Sequence, residues 1–411
     1  MQQTVQQGQD LDLPYLEMES DDFAADPIPR IERARAQHPW LARWVLGYVV
    51  TDYKAMRDLF AREGEMGQLY DQIVDIMDAK GTRWGDFQKR HMLNQMGPSH
   101  KRYRDMLAAS FTPRRVNELR PLMRETIRDL LDEWAPKGAF DFEEFASYYP
   151  ISVMCRMIGA DPSVVPGLRT AMEAIGLSTS MDKRWLPAMQ EGVERMEAFV
   201  VELVAERRAN PHAGEDDLLD LLMGYHARGE LTELELVEML IFLFVAGYDT
   251  SKNMTTLIMN LLLSRPEMYR KVGEDFDYGR RVVEEALRYH STTSTQRVLL
   301  EDMEYRGVLL EKGSIVWFPM SIAVHDDRYV SAPDTFDPDR KAETKHIAFG
   351  LGPHICLGQY LAQALIQEGL HIIAGRLRNP RSPGPRGWRP FPGAWGIRGL
   401  PIEFDRAVET A

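Results

Sequence analysis

Residues 232–264 read as one helix of unusual length, and its centre has no polar face to show to water. It opens on Thr232-Glu233-Leu234-Glu235, a pattern in which an N-cap hydroxyl and a carboxylate three residues on satisfy each other's backbone N–H groups. It stops at Arg265-Pro266, because proline cannot continue a helix. At 1.5 Å per residue such a helix spans about 50 Å, enough to cross a whole domain. Residues 239–245 are apolar nearly all round, so the helix must be buried. Other helices have to cover it, and helical periodicity does dominate, with good cases at 116–133, 190–209 and 279–289. Strand-like pieces are shorter: 44–51 is one, and 308–310 with 314–318 suits a hairpin around Glu311-Lys312-Gly313. The expected fold class is mainly α with small β-sheets. No repeat and no low-complexity linker divides the chain. A single domain over residues 1–411 is expected, with 1–25 as a flexible N-terminal arm.

Inside the long helix lies Ala246-Gly247-Tyr248-Asp249-Thr250. An acid and an alcohol in a buried helix are costly without work or partners. Gly247 lowers helix propensity by about 1 kcal/mol and removes a side chain where something must approach. Two readings stand at this point: a kink with Asp249 salt-bridged, or a reaction site.

A second segment, Phe349-Gly350-Leu351-Gly352-Pro353-His354-Ile355-Cys356-Leu357-Gly358, has the composition of a loop that cradles a flat ring. Its glycines allow tight turns and close approach of the backbone. Phe349 offers a packing face and His354 a hydrogen bond to an acidic edge. Cys356 precedes an apolar stretch, 357–370, that reads as a helix, and a helix N-terminus favours the thiolate. The plainer alternative is a glycine-rich turn with a buried structural cysteine. Only two cysteines occur, Cys155 and Cys356, which excludes a disulfide scaffold and a four-cysteine metal site. Cys155, in an apolar run, reads as a small buried hydrophobe.

Net charge is −13, which disfavours general nucleic-acid binding. The polar, acidic start lacks the features of a signal peptide, and no run of about 18 apolar residues suggests a membrane span. A cytoplasmic, monomeric protein that contacts neither membrane nor nucleic acid is expected.

The Cys356 segment resembles the heme loop of the cytochrome P-450 family, F-G-x-G-x-H-x-C-x-G, and Ala246-Gly247-Tyr248-Asp249-Thr250 resembles that family's oxygen-activation motif, A-G-x-[D/E]-T. Glu285-Ala286-Leu287-Arg288 matches its E-x-x-R pair, and Gly97-Pro98-Ser99-His100 with Arg104 resembles its D-P-P-x-H-x-x-x-R stretch. The resemblance extends over essentially the whole chain. It implies the heme-thiolate fold of a soluble bacterial monooxygenase, with heme b held by Cys356 and O₂ as co-substrate. Phe349, Gly350 and Gly358 would lie against the ring, and His100, Arg104, Arg297 and His354 would meet its propionates. Thr250 would hydrogen-bond dioxygen and organise water, Asp249 would relay protons, and Ala246 and Gly247 would leave room for oxygen. Glu285 and Arg288 would be structural. The family's third member of that brace is an arginine where this chain has Thr335, with Arg340 as the candidate substitute.

By the same resemblance the substrate pocket draws on the segment before His100, with Trp84, Phe87 and Met92, on Phe242, Val245 and Ala246 of the long helix, and on Thr293. A variable pair would add Met172, Ile175, Leu177, Met181 and Trp185. Methionine and aromatic side chains make an adaptable apolar surface, suiting a terpenoid, steroid-like or aromatic compound. Electrons would come from NAD(P)H through a ferredoxin reductase and a ferredoxin. Lys89, Arg90, Lys101, Arg102, Arg114 and Arg115 form a candidate docking patch. The remaining alternatives are a peroxygenase or isomerase of the heme-thiolate class, and a heme-binding sensor without turnover.

Overall fold

The computed structural model describes residues 5–211, 217–341, 344–382, 384 and 387–405. Its axis is the 31-residue helix Glu233–Leu263, which runs through Gly247 without a break. The capping box forms as the sequence predicts: Thr232 Oγ1 accepts from the Glu235 N–H at 3.2 Å, and the Glu235 carboxylate accepts from the Thr232 N–H at 2.8 Å. The same carboxylate accepts from Tyr103 Oη at 2.7 Å and from Arg102. Burial pushes its pKa up, but these hydrogen bonds outweigh burial and hold it at about 2.

Helices Phe142–Ile158, Leu186–Ala209 and Gln359–Arg376 pack around the long helix. They bury its apolar residues in the largest hydrophobic cluster of the molecule. Phe244 is completely buried there, and truncating such a ring costs about 3–5 kcal/mol.

The small sheets differ from the sequence reading in two places. The strand expected at 44–51 is a hairpin, Leu41–Trp44 with Gly47–Val50, whose turn takes Val45 and Leu46. Gly47 is required because a Cβ there would meet the Ile315 carbonyl oxygen at 2.2 Å. The hairpin expected across 308–318 does not form. Val308–Leu310 pairs instead with Met303–Tyr305. Arg306 and Gly307 have φ of +48° and +77°, the left-handed pair that a two-residue hairpin turn needs. Ile315–Phe318 crosses to the centre of a five-stranded sheet, parallel to Gly47–Val50 and antiparallel to Thr295–Leu299.

The flexible arm expected over 1–25 is also corrected, from residue 5 onward. Gln6–Gln7 pairs in parallel with Val308–Leu310, and Leu16, Met18 and Phe23 are buried in a separate cluster with Trp317 and Trp395. Their apolar side chains, spaced through a polar stretch, supply the driving force for docking.

The Glu285–Arg288 pair is buried, with two hydrogen bonds at 2.7 and 2.8 Å. Arg288 also donates to the carbonyls of Pro333 and Thr335. Arg340 takes the place left by Thr335. Its Nε lies 3.5 Å from Glu285 Oε1, and its guanidinium donates to the carbonyls of Ser331, Ala332 and Thr335.

Because the folded-state pKa of Glu235 lies below its ordinary value of 4.5, its contribution is complete above that pH and is lost as pH falls toward about 2. Glu235→Gln should therefore lower the thermal midpoint at neutral pH and flatten its decline across that window. Superimposable melting profiles for variant and parent would show that the cap carries no such linkage.

Candidate functional site

A cavity of about 410 Å³ connects the Cys356 loop to the middle of the long helix. Phe349, Gly350, Cys356 and Gly358 line one side, and Val245, Ala246, Asp249 and Thr250 the other. The loop closes on itself through the Cys356 N–H, which donates to the Phe349 carbonyl at 2.8 Å. Gly350 and Gly352 hold φ of +75° and +69°, open to glycine at little cost. A Cβ at Gly358 would meet nothing within 4 Å, and one at Gly350 nothing nearer than 3.9 Å, so the floor is bare backbone. The following helix, Gln359–Arg376, starts three residues after the cysteine.

Burial pushes the Cys356 thiol up, while the Gly358 backbone and Arg104 pull it down. The Gly358 backbone at the start of the helix acts in the direction the sequence predicts, against the larger effect of burial. A metal cation on the sulfur would reverse the balance, since a coordinated thiol loses its proton outright.

Around the rim stand His100, Arg104, Arg297 and His354, all lining the cavity. Arg297 is nearly fully buried, its Nε has no partner among the described residues, and burial lowers its pKa. Arg104 donates to the Ile355 carbonyl at 2.7 Å, and burial lowers its pKa as well. The His100 and His354 rings stack 3.8 Å apart. Burial brings the His100 pKa down to about 4, helped by His354 and Arg104.

Glu63, which the sequence did not reveal, sits among these groups. Its Oε1 accepts from His354 Nδ1 at 2.7 Å and lies 3.8 Å from the Arg297 guanidinium. His354 Nε2 faces the Gln95 carbonyl at 3.0 Å. Both nitrogens of His354 are thus engaged by the protein, and its expected contact with an acidic edge is corrected to a contact with Glu63. No sequence signal marked Glu63, which lies 291 residues from His354.

These residues fit a heme. The floor is open and glycine-rich, the sulfur faces it, and Arg104, Arg297 and His100 leave more donors than Glu63 can occupy. Two guanidinium cations with a neutral imidazole donor beside them suit two propionates.

On the opposite wall, Thr250 Oγ1 makes, among the described residues, only a long bond of 3.3 Å to the Ala246 carbonyl. Asp249 Oδ2 accepts from Arg389 at 2.8 Å, and Oδ1 lies 3.4 Å from Lys252 Nζ. Lys252 is completely buried and also meets Glu143 at 2.9 Å and Glu173 at 3.4 Å. A Cβ at Gly176 would fall 2.3 Å from Asp249 Oδ2, so the carboxylate needs that glycine. Asp249 is therefore salt-bridged, as one sequence reading held, within an unbroken helix. Gly247 is also reinterpreted: a Cβ there would press on Met154 at 2.8 Å, so its smallness serves helix packing as well as space.

Phe87, Met92, Phe242, Val245, Ala246 and Thr293 line the cavity. Trp84 does not; it is fully buried behind the wall, its indole N–H donating to Ser178 at 3.0 Å. Of the variable pair only Ile175 reaches the cavity, and Gly176, Ser178 and Thr179 take the places expected for Met172, Leu177, Met181 and Trp185. The candidate docking patch is largely neutralised within the chain. Arg90 pairs with Glu238, Lys101 with Asp105, Arg102 with Glu235, and Arg114 and Arg115 with Glu118.

Comparisons with known proteins point to one family. Residues 170–373 match the family model for cytochrome P-450. The chain is 32% identical to a luteothin monooxygenase of Streptomyces thioluteus, covering 96% of this chain and 97% of the relative. It is 30% identical to cytochrome P-450 107B1 of Saccharopolyspora erythraea, covering 95% and 98%. Among solved structures, P450BioI in complex with hexadec-9Z-enoic acid ligated acyl carrier protein superposes with a TM-score of 0.82 at 27% identity, over 93% of this chain and 100% of that one.

The buried Lys252 cluster gives a direct test. Lys252→Met leaves the carboxylates around it uncompensated and should destabilise the protein by about 3–5 kcal/mol. Denaturant titration reads this loss, and an unchanged midpoint would mean that Arg389 on Asp249 and Arg169, 3.4 Å from Glu173, suffice.

Proposed function

The chain belongs to the cytochrome P-450 family of monooxygenases, and we propose that it oxidises an apolar or weakly polar small molecule held between Cys356 and Thr250. The observation that carries this reading is the single cavity whose facing walls bear the thiol and the acid–alcohol pair. When bound, heme supplies a thiolate-ligated iron, whose electron-rich ligand favours O–O cleavage.

The roles of the protein groups follow from their positions. Cys356 would ligate the iron, and Phe349 with Gly350 and Gly358 would bound one face of the ring. Arg104, Arg297 and His100 would hold the propionates, with Glu63 balancing part of their charge. Thr250 presents a hydroxyl to the cavity with only a weak internal bond, so it can donate to an oxygen species or hold a water. Asp249, gripped by Arg389, would pass protons toward Thr250 when that grip loosens. Phe87, Met92, Phe242 and Val245 exclude water and hold the substrate by apolar contact. The acid–alcohol pair favours oxygen activation over a peroxide-driven or isomerase reaction, and turnover would separate an enzyme from a heme-binding sensor.

Electrons would reach the heme from a separate ferredoxin and its NAD(P)H-dependent reductase. The docking surface would centre on the side of the Cys356 loop. Among the described residues no helix is long and apolar enough to cross a membrane.

Titration of the ferric, heme-loaded protein with terpenoids, steroids and small aromatics tests the substrate class through the heme absorbance. A high-spin shift with one apolar class supports the reading, and a response to charged polar molecules alone would overturn it. Cys356→Ser should lose the thiolate-type reduced carbonyl spectrum; retention of that spectrum would refute the ligand assignment. Thr250→Ala should consume NAD(P)H and oxygen with less product and more peroxide. Full coupling in that variant would remove Thr250 from the oxygen site.

A further inference from the structure

A phenol stands beside the cation rim with its hydroxyl uncommitted. Strand Met66–Gly67 pairs antiparallel with Thr295–Leu299, Met66 opposite Leu299 and Gly67 opposite Val298. Continued by one residue, that register brings Gln68 level with Arg297, and Tyr70 follows on the first turn of the helix Tyr70–Ile76. Leu69, Ile73 and Val74 are buried and anchor this turn. The Tyr70 ring meets His91 edge-on at 4.5 Å, and His91 in turn stacks on Phe242 at 5.7 Å. Tyr70 and Arg297 both line the cavity.

The hydroxyl is open to that cavity. Tyr70 is half-buried and keeps exposed surface although protein surrounds it, so the surface faces the space it lines. Its Oη has no hydrogen-bond partner among the described residues, and it is not one of the orphaned polar atoms that packing encloses, as Tyr149 Oη is. Burial pushes the Tyr70 pKa up to about 12, against an opposing pull from Arg297. The phenol therefore stays protonated at physiological pH and has a proton to donate.

Arg297 cannot serve an anion at this corner alone. Its Nη1 already donates to Thr295 Oγ1 and to the Gln296 carbonyl, both at 2.8 Å. Its Nε is enclosed. Nη2 remains, and it lies 3.8 Å from Glu63 Oε1, a carboxylate that repels a second one. An incoming carboxylate brings about four lone-pair sites and needs a further donor, which Tyr70 supplies. We propose that Tyr70 is a cofactor-contacting residue whose hydroxyl donates a hydrogen bond to the heme propionate held by Arg297. The inference rests on the reading of this cavity as a heme site. It makes the phenol part of the cofactor's anchorage and leaves the substrate no claim on it.

The test compares the heme-loaded parent with Tyr70→Phe, which keeps the ring and removes the hydroxyl. Three quantities are measured: heme transfer to excess apomyoglobin, the propionate bending mode in the resonance Raman spectrum, and the ferric–ferrous potential. Heme loss should be about tenfold faster, the effect of one missing hydrogen bond to a charged group. The bending mode should shift. The potential should fall, because a less compensated negative charge near the iron favours the ferric state. Tyr70→Leu removes the same hydroxyl with different packing, so it keeps the question measurable if Tyr70→Phe does not fold. Loss rate, bending mode and potential all unchanged would overturn the proposal. Faster loss with an unchanged bending mode would reduce Tyr70 to packing and overturn it as well. So would a change confined to the affinity for 4-phenylimidazole, which would give the hydroxyl to the distal ligand. Failure of the parent protein to hold heme would count instead against the heme site itself, so the two failures are told apart.

Discussion

A helix of 31 residues buried along most of its length constrains everything around it. Its backbone is satisfied internally, but each polar side chain it carries must find a partner inside the protein. Asp249, Lys252, Asn253, Thr255 and Thr256 all lie in its buried half. Thr255 and Thr256 donate to the Ser251 and Lys252 carbonyls of the helix itself, while the partners of Asp249, Lys252 and Asn253 come from the helix Phe142–Ile158, from the segment around Glu173, and from Arg389 and Ala394 near the end of the chain. Distant parts of the sequence are thereby tied to one axis. The cavity exists where that axis is left uncovered, between Ala246 and the Cys356 loop.

The site is a balance of unmet groups. Arg297 Nε, Glu63 Oε2, Asp249 Oδ1 and His91 Nδ1 are all buried without hydrogen-bond partners among the described residues. In an ordinary core each would be destabilising. Arg297 and Asp249 line the one cavity, Asp249 Oδ1 is faced by Lys252, and the guanidinium side of the cavity suits an anionic edge. Cys356 belongs to the same balance, because its buried sulfur favours the thiol until a cation arrives.

The parts of this site legible in the sequence were local. The capping box at Thr232 and Glu235, the glycines of the Cys356 loop and the i, i+3 spacing of Glu285 and Arg288 each act within a few residues, so their patterns survive in one dimension. Arg340 could be nominated because it lies five residues from the Thr335 it compensates. Glu63, Arg389 and His91 were not legible. Each gains its meaning from a neighbour far along the chain or from a stack of rings, and nothing in a lone Glu, Arg or His announces that. Trp84 was misplaced for a related reason: aromatic composition predicts burial but not which side of a wall a ring takes. The Val308–Leu310 hairpin was mispaired because Glu311-Lys312-Gly313 has turn chemistry, while the left-handed pair Arg306-Gly307 makes the turn that pairs strands.

The five-stranded sheet has a consequence for how the protein is made. Its second strand, Gly47–Val50, finds its parallel neighbour only at Ile315–Phe318, and the first described strand, Gln6–Gln7, waits for Val308–Leu310. During synthesis these early strands leave the ribosome with open edges while more than half of the chain is still to come. Contacts of such sequence separation form late, because the loop between them must close first. The nascent N-terminal segment is thus the stretch most in need of a chaperone, and the rim of the cavity, which takes Arg297 from this sheet, cannot be complete until the ribosome is nearly finished. Cofactor capture is accordingly expected to be a post-translational event in this chain, not a nucleus around which it folds.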